Sequence, residues 1–186
     1  MDRTDRIIAS ASDEIRAAAA AVEADAIEAL AGEIAAARRV ALHGVGREGL
    51  MMRALAMRLF HLGLDAHPVG DMTTPPLGPG DLLVVSAGPG DFATVAALVD
   101  VARGAGARTA CVTARPEGGV PAACDTVLTI PARTMAEGEG GADGMLPMGS
   151  VFEGAQFLVF EALVLRLAAR LAVTPDAMRA RHTNLE

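Results

Sequence analysis

The 186-residue chain is long enough to bury a full core as one domain, and at a formal net charge of −7 it has no basic cluster to hold a nucleic-acid backbone. It has no Trp and no Tyr, so stacking platforms for bases or sugar rings are nearly absent, and its two cysteines, Cys111 and Cys124, show neither metal-ligand nor redox spacing. The opening Met-Asp-Arg-Thr-Asp-Arg lacks an apolar signal run, and the most apolar stretch carries Glu161, Arg166 and Arg170, so no membrane span is expected and the cytoplasm is the expected location.

Residues 4–37 read as helix, with room for one break. Ile8, Ile15 and Val22 recur at a seven-residue spacing, Leu30 and Ile34 follow, and Asp13, Glu14, Arg16, Glu23 and Asp25 fill the other faces. Such a seam suits either packing on its own sheet or a contact between subunits. Residues 39–43 form a short apolar run that reads as a buried strand, and 50–62 as an amphipathic helix. Strands are expected at 66–69, 81–86, 108–113 and 126–130, with a helix at 93–105 between two of them. A Thr/Pro/Gly loop lies near residues 73–80. Residues 137–144, acidic and glycine-rich, are either a lid or a linker. A last long helix covers 150–171, and Pro175 opens a short one before the tail. Strands alternating with helices predict an α/β fold, a doubly wound and mostly parallel sheet. In such sheets ligands bind beyond the carboxyl ends of the strands, where strand order reverses.

Three stretches converge on that edge. Gly44-Val45-Gly46-Arg47-Glu48-Gly49 follows the first strand, Ser86 to Asp91 follows the third, and Pro147 to Glu153 opens the last long helix. The first is literally GxGxxG, with Asp71 at the end of the second strand, so a dinucleotide-binding module is one reading. It is a weak motif by itself, and the chain is short for a dehydrogenase.

More of the chain resembles the SIS (sugar isomerase) family, in its 6-phospho-3-hexuloisomerase branch. The matching residues are Gly44 to Leu50 (family GxGRSG), Ala56-Met57-Arg58-Leu59-Phe60-His61-Leu62-Gly63 (family AMRLxHLG), Val69-Gly70-Asp71 (family VGE), Thr74-Pro75, Ser86, Pro147 to Glu153 (family PLGTxFE) and Ala180 to Glu186 (family ARHxxLE). Length and pattern predict a single domain over 1–186, with a helical segment at 1–37 and the α/β core and tail at 38–186, and the resemblance covers most of the second part. The resemblance implies a three-layer, flavodoxin-like sandwich around a five-stranded parallel sheet. It also implies a homo-oligomer, dimer or tetramer, with an active site shared between subunits, and no metal or organic cofactor. The substrate would be a sugar or sugar phosphate, 3-hexulose 6-phosphate converted to fructose 6-phosphate through a cis-enediol. Glu153 would be the carbon base, and His182, from a neighbouring chain, would move protons between sugar oxygens or help open the ring.

Each residue also has a plainer reading. Glu153 suits a helix N-terminus whether or not it reacts, His182 is a tail histidine, and His61 sits in mid-helix where histidines are often packed. His43 precedes the first turn and is a further pocket candidate. The substrate-binding set is Gly44, Gly46, Arg47, Glu48, Ser86, Gly88, Gly90, Asp91 and His61. Three of these depart from the family. Its GRS serine is Glu48 here, and in the second turn (family SGSGET) the threonine is best matched by Asp91, while Gly88 replaces the inner serine and Pro89 removes an N–H. Two carboxylates where a phosphate should sit are costly unless they turn to solvent or cap helices. Arg47, Arg133 or a neighbour's Arg181 would offset part of that charge. The departures leave open a changed substrate, unphosphorylated or otherwise anionic, or a module that binds a sugar derivative without turning it over.

Overall fold

The computed structural model describes residues 2–136 and 144–185. The lid or linker expected at 137–144 therefore lies almost wholly outside the described residues.

The sheet has five strands, all parallel: β1 (Val40–His43), β2 (Ala66–Pro68), β3 (Leu82–Ser86), β4 (Arg108–Thr113) and β5 (Thr126–Thr129), in the order β2-β1-β3-β4-β5. β3 is buried along its whole length, as an apolar Leu-Leu-Val-Val run covered on both faces must be. The order reverses between β1 and β3. Their carboxyl ends lie side by side, since His43 pairs with Val85 and the next residue of β3 is Ser86.

The helices are α1 (Arg3–Ala20), α2 (Ala24–Ala36), α3 (Gly46–His61), α4 (Ala93–Gly104), α5 (Gly119–Ala122), α6 (Ser150–Arg170) and α7 (Pro175–Ala180). Alternate residues of the strands feed two cores. Leu42, Val84 and Val112 pack under α2, α3 and α6, whereas Ala41, Leu83, Val85 and Cys111 pack under α4 and α5. The result is the expected three-layer, doubly wound sandwich.

The long N-terminal helix is broken at residues 21–23, so that α1 lies along α6 while α2 packs at β5. Its seam is divided too. Ile15 presses on Gly154 of α6, where an added Cβ would stand 2.6 Å from the isoleucine Cδ1, but Ile8 is exposed. α3 begins at Gly46, four residues before the expected Leu50, and the four-residue α5 is an addition. Cys111 and Cys124, far apart in sequence, are brought together as free thiols because α5 folds back against β4.

Candidate active site

The first glycine turn is built by close approach. A Cβ on Gly49 would lie 2.5 Å from the Gly44 carbonyl oxygen, a clash with backbone that cannot move cheaply. Gly46 starts α3 with φ +60°, in the left-handed region that glycine enters freely. Together these let the chain leave β1 and enter the helix almost at once, which sets Arg47 and Glu48 in its first turn.

Glu48 points inward. It is 6% exposed, and its Oε2 accepts hydrogen bonds from the Ser86 hydroxyl at 2.6 Å and the Gly88 N–H at 2.9 Å. The Ser86 oxygen in turn accepts from Gln156 Nε2 of α6 at 2.9 Å, so Gln156, Ser86 and Glu48 form one buried chain. Burial raises the Glu48 pKa above the usual carboxylate value. The bonds from Ser86 and Gly88 oppose this in part, and the nearby Glu153 charge adds to the rise.

Glu153 lies in the first turn of α6, entered through a backbone outlier, Met148 at φ 51°. A non-glycine residue there costs about 1–2 kcal/mol. Its side chain is 14% exposed, and its Oε2 is 3.0 Å from Arg47 Nε. The contact is an ion pair rather than an aligned hydrogen bond, because that same oxygen is buried without one. Arg47 also donates to the Ser150 hydroxyl at 3.1 Å. The three residues line a cavity of about 550 Å³ whose other walls come from Ser12 and Ile15 of α1 and from Met51, Leu146, Phe157 and Leu158.

The remaining sequence candidates divide. Asp91 does not face the cradle: it is exposed and accepts from the Gly119 N–H at 2.8 Å, so it secures the start of α5. Gly90 packs on Gly118, where an added Cβ would lie 2.5 Å from the Gly90 Cα, and its carbonyl accepts from the Val120 N–H. It shapes the loop. His61 is at the far end of α3, buried, with its ring stacked on His182 at 5.2 Å. The fourteen steps from Arg47 to His61 span about 21 Å of helix. Within one chain, then, neither histidine is beside Glu153. Arg181 donates to the carbonyl of His61 in its own chain at 3.0 Å, and Arg133 to that of Leu146 at 3.2 Å. His43 lines a separate crevice of about 190 Å³ with Gly44, Leu50 and Arg53, and burial lowers its pKa, which favours the neutral ring. Asp71 pairs with Arg53 at 3.1 Å, and the glycine turn that would take a pyrophosphate presents a carboxylate instead; both count against the dinucleotide reading. Ser12 and Gln156 were not anticipated. Gln156 had a signal, as the one uncharged polar side chain amid the apolar run of α6 after Glu153.

The doubly wound, five-stranded parallel sheet with its flanking helices is the fold that the resemblance to the sugar-isomerase, or SIS, family implied. No protein-family model matches the chain. It is similar to a 3-hexulose-6-phosphate isomerase of Mycobacterium gastri, 38% identical over 174 residues, covering 94% of this chain and 87% of that one. A second, from Bacillus subtilis (strain 168), is 30% identical over 184 residues, covering 99% and 100% of the two chains. The chain belongs to the 3-hexulose-6-phosphate isomerase family. The fold agrees: a solved Methanococcus jannaschii structure, from which that same molecular function was inferred, superposes at a TM-score of 0.83 with 24% identity, over 96% of this chain and 98% of that one.

Proposed function

We infer that the chain interconverts 3-hexulose 6-phosphate and fructose 6-phosphate, with Glu153 as the base. The observation that carries this reading is the position of Glu153, a mostly buried carboxylate opening on a cavity of about 550 Å³ at the switch point of the sheet. In the reaction, the carboxylate removes the proton from C2 of the 3-ketose. The electrons form the C2–C3 double bond of a cis-enediol, and the carbonyl oxygen on C3 becomes a hydroxyl. Returning the proton to C3 leaves the carbonyl on C2. A second group must carry a proton from O2 to O3, and His182 is assigned that role. Arg47, ion-paired with Glu153, is assigned the contact with the substrate.

Since His182 is about a helix length from Glu153 in its own chain, the reading requires a homo-oligomer, a dimer or tetramer in which one subunit's tail completes another's site. Exposed apolar side chains on the outer sides of α3 and α6 (Leu50, Met57, Phe60, Phe157, Leu158 and Leu165) support self-association. No helix among the described residues is long and apolar enough to cross a membrane, and the enzyme is assigned to the cytoplasm.

The test uses purified protein with D-arabino-3-hexulose 6-phosphate, fructose 6-phosphate being detected by a coupled dehydrogenase. Wild type is expected to turn over, and Glu153→Gln and His182→Ala each to lose turnover. Unfolding the two variants together and refolding them as mixed oligomers is expected to restore part of the activity, because some sites then carry both native residues. No turnover by folded wild type overturns the reaction; no restoration in confirmed mixed oligomers overturns the shared site.

A further inference from the structure

The Ser86–Gly88 turn has the form of an anion cradle: a hydroxyl and a backbone N–H converging beyond the end of β3, beside the N-terminus of α3. Its donors are engaged. The hydroxyl of Ser86 has one proton, and it is directed at Glu48; the acceptor side of the same oxygen takes Gln156 Nε2. The one N–H of Gly88 is also on Glu48, and Pro89 has none to add. The carboxylate fills the space as well, since a Cβ on Gly88 would lie 2.7 Å from Glu48 Oε1 and 3.0 Å from the Phe152 ring. Glu48 thus occupies the place, and uses the hydrogen bonds, that an incoming phosphate would need. A phosphate dianion carries chiefly acceptor oxygens and negative charge, so it cannot share the cradle with an ionised carboxylate.

We propose that Glu48 is a specificity-determining residue, an internal competitor that the substrate's phosphate must displace from the Ser86–Gly88 cradle. Displacement is within reach of the side chain, which rotates about three bonds, while Ser86, Gly88 and Gln156 stay fixed by the sheet and α6. The consequence is selective. Affinity for phosphorylated sugars is set below what the same cradle gives with a small hydroxyl residue at position 48, whereas recognition of the unphosphorylated part of the sugar is unaffected by this contest. The inference rests on the isomerase reading only for the identity of the natural ligand, because the competition itself is a property of the cradle and inorganic phosphate reports on it.

The experiment is calorimetric titration of inorganic phosphate into the wild-type oligomer, Glu48→Ser and Glu48→Gln, with circular dichroism to establish folding. Glu48→Ser frees both donors and is expected to lower the Kd at least tenfold. Glu48→Gln keeps the volume but removes the charge, and is expected to lower it about threefold or more; it decides the matter should the serine variant not fold. KM for hexulose 6-phosphate is expected to fall in parallel. A folded Glu48→Ser protein that binds phosphate no more tightly than wild type overturns the proposal. Loss of hexulose 6-phosphate turnover in every folded form would instead overturn the isomerase reading, and the phosphate titration would still judge Glu48.

Discussion

Replacing Glu153 by Gln tests the chemistry apart from the architecture. The amide keeps the size of the side chain and its place beside Arg47 and Ser150, but cannot accept a proton from carbon. Positioned acid–base groups contribute about 10²–10⁴-fold, so kcat/KM is expected to fall by that factor, or about 3–5 kcal/mol of transition-state stabilisation. The structural cost is much smaller. The lost charge lies in the first turn of α6, where its interaction with the helix dipole is worth roughly 0.3–1 kcal/mol. Its partner Arg47 is 66% exposed, which limits the ion pair to about 0–1 kcal/mol. At about 2–4 °C per kcal/mol for a chain of this size, Tm should drop by no more than about 8 °C. Steady-state kinetics on hexulose 6-phosphate, alongside thermal unfolding of the same preparation, separates the two effects. A folded variant within threefold of wild-type kcat/KM refutes the assignment of Glu153 as base.

Three further outcomes follow from the same packing. The Glu48 pKa is raised in the native state, so the native state binds more protons than the unfolded chain above the ordinary value of 4.5; the stability gained from neutral Glu48 is full below that pH and is lost as pH rises through the native pKa. The Tm difference between Glu48→Gln and wild type should therefore grow in favour of the variant from pH 4.5 upwards, with Glu153, Cys111 and the Arg47 pair as the other charged or ionisable groups nearby; a difference that is flat or shrinks with pH contradicts this. Asp81, fully buried, accepts from Arg38 Nε at 2.9 Å, Arg38 Nη2 at 2.8 Å and the Gly78 N–H at 2.9 Å, and since the Arg38 side chain is 65% exposed and stays solvated without its partner, Asp81→Ala should cost about 1–3 kcal/mol in urea unfolding. Gly49→Ala should destabilise the protein far more than Gly46→Ala, whose Cβ meets nothing within 4 Å and carries only the left-handed strain of about 1–2 kcal/mol; equal unfolding midpoints would show that α3 does not depend on the Gly44–Gly49 contact.

The alternation of strands and helices was legible because it is carried by local rules. A run such as Leu82 to Val85, apolar at every position, is stable only between two helical layers, and this excludes an antiparallel sheet with one wet face. The strand order was not legible in residue patterns, since parallel strands are joined by helices that can cross to either side; the structure supplies it as β2-β1-β3-β4-β5. The short α5 escaped for a related reason. Gly-Val-Pro-Ala has no helical propensity worth naming, and the turn forms because Asp91 and the Gly90 carbonyl, some 30 residues back, hold its backbone N–H groups.

The direction of Glu48 turned on a boundary. With the helix begun at Leu50, Glu48 falls in a loop, where a carboxylate has solvent on most sides and an outward orientation is natural. With the helix begun at Gly46, Glu48 stands on the same stripe as Met52, Leu55 and Leu59, at intervals of four, three and four, the positions that α3 buries against the sheet. A charged residue on a core stripe must find donors or lose its charge. The donors within reach are those of the second turn, so the departure of this one residue from the family serine closes the cradle from within. What decided the early start was the Gly44–Gly49 contact, which contracts the turn until the helix has no room to begin later. That contact joins residues five apart, and reading it required only that the glycines be taken as a packing device first and as a phosphate motif second.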